Sequence, residues 1–108
     1  LKCAKGAIPM NVTRTMVFEM PGTNSWAAVM KIFRATTEPG LKAQKKDKNL
    51  LRWSLTRIGD NRGLLSIEFE NKAKLNKYLK TMAAVRKNVT ADTGMQSWVY
   101  SGPVAASG

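Results

Sequence analysis

The sequence predicts an α+β domain in the order strand, helix, strand, strand, helix, strand. Three observations carry that prediction. Apolar residues alternate with period two in four stretches, they recur at helical spacing in two others, and runs of Gly, Pro, Asn, Asp and Ser divide the stretches. The 108 residues, 44% of them hydrophobic, suffice for one ordinary domain with a single core, and a second domain would not fit.

The first element is "NVTRTMVFE" (11–19), where Val12, Met16 and Phe18 alternate with Thr13, Thr15 and Val17, and it reads as a strand. "MPGTNS" breaks it. Asn24 or Ser25 can then cap a helix whose Trp26, Val29, Met30 and Phe33 fall at i, i+3, i+4 and i+7. Pro39-Gly40 ends or bends that helix, and "LKAQKKDKN" (41–49) is read as a polar, lysine-rich connection with room for another short helical turn. "LLRWSLTRI" (50–58) alternates Leu51, Trp53 and Leu55 with Arg52, Ser54 and Thr56. "GDNRG" supplies a hairpin turn that ends on Arg62-Gly63, and "LLSIEFE" alternates Leu65, Ile67 and Phe69 with Ser66 and Glu68, so the two runs should pair antiparallel.

Asn71 caps a second helix that is expected to run to Gly94. Its apolar stripe is Leu75, Tyr78, Leu79, Met82, Val85 and Val89, with Lys77, Lys80 and Lys87 on the solvated side. "MQSWVYS" (95–101) is the last strand. Residues 1–10 and 102–108 show no periodicity and read as tails, which leaves 11–101 as the domain. This order is the split βαβ arrangement of the ferredoxin-like fold, a four-stranded antiparallel sheet with two helices on one face.

Composition narrows function by exclusion. The balance of 18 Lys+Arg against 7 Asp+Glu gives a formal net charge of +11, which draws a chain towards phosphates and acidic surfaces in general. With no histidine and one cysteine, Cys3, the chain lacks the commonest transition-metal ligand, the commonest general base at neutral pH and an internal disulfide. Haem, zinc and Ser-His-Asp chemistry are disfavoured together, no metal or cofactor is expected, and Cys3 has no base to activate it. No apolar run approaches the roughly 18 residues of a membrane span, and "LKCAKGAIPM" has positive charge without an apolar core. The reading is a soluble, cytoplasmic protein, whose first residue is Leu rather than Met, as in a trimmed product or a fragment. "PGTNS" and "GDNRG" are turns, with neither P-loop spacing nor a dinucleotide fingerprint.

"RGLLSIEFE" (62–70) invites comparison with the RNA-recognition motif, which shares the topology and opens its third strand on an Arg-Gly pair. That motif stacks bases on aromatic rings of the open sheet face, for roughly 1–3 kcal/mol each. The overlay keeps Arg62, Gly63, Ile67 and Phe69, but the two stacking positions fall on Leu64 and Ser66, and the ring position of the first strand falls on Met16. Nucleic-acid binding is therefore the rival reading, one that would use Lys42, Lys45, Lys46, Lys48 and the second-helix face. Trp53, Trp98 and Tyr100 offer rings elsewhere, although a tryptophan on a strand is more often core.

If the helices cover Leu65, Ile67 and Phe69, the opposite face receives Leu64, Ser66, Glu68, Arg52, Ser54 and Thr56, joined by Thr13, Thr15 and Val17. Such a mixed face is too apolar to be left bare and too polar for ordinary core. Pairing two copies about a twofold axis buries both, so a homodimer is expected.

The stretch "LLRWSLTRIGDNRGLLSIEFENKAKLNKYLKTM" (50–82) resembles the hairpin and second helix of the dimeric α+β-barrel superfamily, in particular the antibiotic-biosynthesis-monooxygenase-like domains. The shared features are Leu51-Arg52-Trp53-x-Leu55-x-Arg57, the pair Phe69-Glu70 before the helix, and the Leu75 to Leu79 stripe. "EPG" (38–40) resembles the break after that family's first helix, although here roughly nine more residues precede the hairpin. The resemblance implies a barrel built from two protomers' sheets, with a pocket in each protomer between the sheet and its helices or loops. It also implies a small aromatic ligand and, in active members, cofactor-independent oxygenation of aromatic polyketides or quinol-like compounds. The histidine often seen in that family's second helix corresponds to Tyr78, and the haem-ligating histidine has no counterpart, which disfavours haem degradation.

On that resemblance, Arg52, Ser54, Ser66, Glu68, Gln96, Trp98 and Tyr100 would furnish the pocket, with Glu68 and Arg52 as catalytic candidates and Trp26 as a roof. Each has a plainer role. Glu68 would pair with Arg52 or Arg14 across neighbouring strands, Ser54 and Ser66 would be small polar residues at a dimer seam, and Trp26 would be core. Trp98 and Tyr100 are read as facing opposite ways, so that at most one lines the open face. A dimerising structural or regulatory domain without chemistry is the third reading.

Overall fold

The computed structural model describes residues 11–107, so the segment read as an N-terminal tail lies outside the described residues. Among the described residues eight elements follow one another: β1 (Val12–Glu19), α1 (Trp26–Thr36), α2 (Glu38–Lys46), β2 (Arg52–Arg57), β3 (Arg62–Phe69), α3 (Lys72–Thr81), α4 (Ala83–Thr93) and β4 (Gln96–Pro103). The strands form one antiparallel sheet in the order β2-β3-β1-β4. This is the ferredoxin-like arrangement expected from the sequence.

Register fixes which side chains share a face, because period two carries alternate residues to opposite sides. One side bears the cross-strand rows Leu55–Leu65–Met16–Val99 and Trp53–Ile67–Arg14–Ser101. Met16, Phe18, Leu65, Ile67 and Phe69 from this side join Val29, Phe33, Leu41, Leu75, Tyr78 and Val89 from the four helices in one buried core. Trp53 belongs here too, its ring 5.7 Å from that of Phe33. The other side carries Thr56–Leu64–Val17–Trp98, Ser54–Ser66–Thr15–Tyr100 and Arg52–Glu68–Thr13–Gly102, the open face the alternation implied.

Four features depart from the sequence reading. The segment read as a connection is mostly helix. α1 stops at Thr36, Pro39 sits in the first turn of α2 where its missing N–H costs nothing, and Leu41 and Gln44, one turn apart, are buried. The expected single helix from Asn71 to Gly94 is two, broken at Met82 (φ −94°, ψ 4°). No Pro or Gly marks that break; the Arg86 guanidinium donates to the Leu79 carbonyl at 2.9 Å across it. Arg62 and Gly63 belong to β3 rather than to the turn. The last strand runs on through Pro103, past the boundary at 101, and Val104 N–H donates to Asn11 O at 2.7 Å.

The caps follow the sequence more closely. Ser25 Oγ accepts from Ala28 N–H at 3.2 Å and Asn71 Oδ1 accepts from Lys74 N–H at 2.9 Å. Gly94, at φ +66°, closes α4 in the left-handed conformation that glycine adopts without penalty.

Candidate functional site

Between the sheet and the helices lies a narrow cavity of about 40 Å³, and beside it, against α4 and β4, an open cleft of about 510 Å³ that shares part of its wall. The cavity wall is largely apolar, and Met16, Met20, Met82 and Met95 form much of it. As it stands the enclosed part has room for only about two or three waters. Thioether side chains are flexible and yield to an apolar guest, so the lining is of an adaptable kind.

Three titratable side chains line this space, beside the hydroxyls of Thr36 and Thr37. Arg14 projects from the middle of the central strand β1 into the helix layer and is only 6% exposed. Arg86 on α4 donates from Nη2 to the Leu79 carbonyl, while its Nη1 is buried without a hydrogen-bond partner. Tyr78 on α3 is 2% exposed, its ring 5.4 Å from that of Phe69. Burial lowers the Arg14 pKa from its ordinary value, the neighbouring Tyr78 opposes that shift and Arg86 adds to it. Burial raises the Tyr78 pKa against the opposing pull of Arg14 and Arg86, so at neutral pH its hydroxyl keeps its proton. Arg14, Met16, Arg86 and Met95 line both spaces and therefore stand at the neck; Lys87, Thr90 and Ser97 line the outer cleft.

The residues singled out from the sequence lie elsewhere. Arg52, Ser54, Ser66, Glu68, Gln96, Trp98 and Tyr100 are gathered on the open face and none lines the cavity under the helices. The register explains this: all seven share the parity that the helices leave bare. Glu68 accepts from Asn11 Nδ2 at 2.6 Å and lies 3.7 Å from Arg52 Nη1, the cross-strand pair expected; Arg14, on the opposite side, is not its partner. Ser54 and Ser66 stand directly opposite each other. Trp98 and Tyr100 both lie on the open face, 44% and 66% exposed, because they are two residues apart with Val99 between them and not neighbours. Trp26 faces the helix side instead, its ring 3.1 Å from where a Cβ on Gly63 would stand and 5.9 Å from the Arg57 guanidinium carbon.

The two arginines escaped the sequence reading, although a signal was present. In "NVTRTMVFE" the inward parity is Val12, Arg14, Met16, Phe18, so a charge occupies a core position of a central strand. Arg86 likewise stands four residues after Met82 and three before Val89 on the apolar stripe.

No protein-family profile matches the sequence, and no curated protein is detectably similar to it. Solved structures match its fold. A dimeric ferredoxin-like protein from an uncultured marine organism superposes with a TM-score of 0.71 at 13% identity, over 91% of this chain and 98% of that one. A protein of unknown function from Nitrosomonas europaea gives 0.72 at 14% identity, over 94% and 96%. SnoaB, a cofactor-independent oxygenase from Streptomyces nogalater, gives 0.63 at 16% identity, over 89% and 92%. The resemblance drawn from residues 50–82 is thus borne out as a likeness of fold.

Proposed function

We propose that this protein is a homodimeric α+β barrel that binds a small aromatic or quinol-type molecule in the space between its sheet and helices. The observation that carries the reading is the adaptable apolar cavity opening to solvent at a polar neck, on the sheet side opposite the bare face. That bare face supports the dimer. Its Leu64–Val17–Trp98 row is an apolar strip across three strands, and facing a second copy would cover it. The dimeric ferredoxin-like neighbours support the same assembly for a fold of this kind. Among the described residues no helix is long and apolar enough to cross a membrane; a cytoplasmic location is the expectation the composition carries.

The chemistry that suits such a site is cofactor-independent oxygenation of an aromatic substrate acidic enough to lose its proton to solvent water, whose anion then meets dioxygen. The likeness to SnoaB supports that choice at the level of fold. Glu68 and Arg52, on the open face, take part only if a ligand sits between the two sheets. Glu68→Gln separates the alternatives: lost turnover with the fold intact assigns chemistry to the seam, and unchanged turnover leaves it under the helices.

Light scattering at low and moderate salt is the direct test of the assembly. A salt-insensitive mass near twice 11.9 kDa is expected; a monomer would overturn the barrel. One observation favours the rival reading, since exposed Trp98 and Tyr100 share the open face with Arg52 and Arg62. Single-stranded nucleic acid stacked there would bind with an affinity that falls steeply as salt rises, whereas the dimer reading predicts no such binding.

A further inference from the structure

The neck of the cavity holds more positive charge than a packed interior accounts for. Arg14 and Arg86 have no carboxylate within 4.0 Å among the described residues, and neither lining contains an Asp or Glu. Arg14 is only 6% exposed. Arg86 spends Nη2 on a backbone carbonyl and leaves Nη1 buried and unmatched. A buried guanidinium without a counter-charge is costly, and two that repel one another are more so.

We infer that cavity and cleft form one site for an amphiphilic organic anion, whose planar carboxylate or enolate is held at the neck by Arg14 and Arg86 and whose apolar body enters the methionine-lined interior. The inference rests on the small-molecule reading of this site and adds the ligand's charge and orientation. A guanidinium presents paired N–H donors in a plane, which matches two oxygens on a planar anion better than a single point acceptor. Tyr78, kept protonated by burial, adds a neutral donor among the residues lining the cavity. Lys87 on the cleft wall adds a further positive charge along the approach. The two spaces divide the ligand in one direction only. Phe18, Ile32, Phe33, Leu65 and Val89 line the inner cavity alone, whereas Lys87, Thr90 and Ser97 line the outer cleft alone.

The test is calorimetric titration of the full chain with two matched pairs: 2-naphthoate against 2-naphthamide, and the 2-hydroxy-1,4-naphthoquinone anion against neutral 2-methyl-1,4-naphthoquinone. Inorganic phosphate is the headgroup-only control. The expected result is that the anion of at least one pair binds roughly tenfold or more tighter than its neutral partner. The pair that shows the gap distinguishes carboxylate from enolate. Arg14→Met and Arg86→Met should each erase most of the gap between anion and neutral partner. Arg86→Lys, which keeps the charge, should retain part of it; a loss as complete as in Arg86→Met would overturn the electrostatic role. Equal binding of anion and neutral partner overturns the inference and leaves the small-molecule reading standing. Binding of phosphate as tight as that of naphthoate overturns the apolar half of the inference. No binding by any organic probe overturns the small-molecule reading, and this inference with it.

Discussion

Gly63 shows how one missing side chain organises its neighbours. A Cβ there would stand 2.6 Å from Phe18 Cζ and 3.1 Å from Trp26, closer than packed carbon atoms approach. The glycine that resembled part of an RNA-binding signature instead lets two aromatic rings close over the start of β3. Gly63→Ala should therefore cost about 1–3 kcal/mol in denaturant unfolding, because the buried Phe18 ring has to shift. Arg14 predicts the opposite sign. Replacing its buried charge, which has no carboxylate within 4.0 Å among the described residues, by a similar apolar volume in Arg14→Met should raise ligand-free stability by about 1–2 kcal/mol. Tyr78 gives a pH signature. Its folded pKa is raised, so its contribution is fully present below the unfolded value of about 10 and declines as pH rises through the folded one. Unfolding measured from pH 8 to 11 should show a smaller alkaline decline in Tyr78→Phe than in the parent.

At the scale of elements, the strands and the central hairpin were legible because alternation reports one fact, burial on one side, and the hairpin turn and helix caps have local chemistry. The two misread helices signal less plainly. α2 is lysine-rich on its surface, so the Pro39-Gly40 pair in its first turn reads as a stop rather than a start, and no Pro or Gly marks the break at Met82, where Arg86 donates to the Leu79 carbonyl. The residues read as a site and the arginines beside the cavity differ for a related reason. Polar residues drew attention wherever they were exposed, while the arginines that face the cavity were hidden inside apolar stripes. The end of α2 offers a test of local geometry. Lys48 takes φ +61°, a conformation glycine enters freely, so Lys48→Gly should stabilise the domain by about 0.5–1 kcal/mol in thermal or denaturant unfolding.

For the molecule as a whole, the two faces of the sheet differ, one packed under helices around a cavity and one open, the face on which we propose a second copy sits. A charge introduced at the middle of the open face should act on assembly and leave the cavity alone. Val17→Glu is expected to weaken the proposed dimer about tenfold or more, read by sedimentation or light scattering, with circular dichroism unchanged.

The strand order also fixes a schedule. β1 emerges first during synthesis, yet both of its neighbours come later: β3 pairs Val12 with Phe69, and β4 pairs Val12 with Pro103. The central strand thus waits for the last one made, and the sheet closes through contacts between opposite ends of the domain. Pairings of such long sequence separation form slowly, after more local structure. A nascent chain halted before β4 would hold β1 with one edge unpaired, a template for joining other chains.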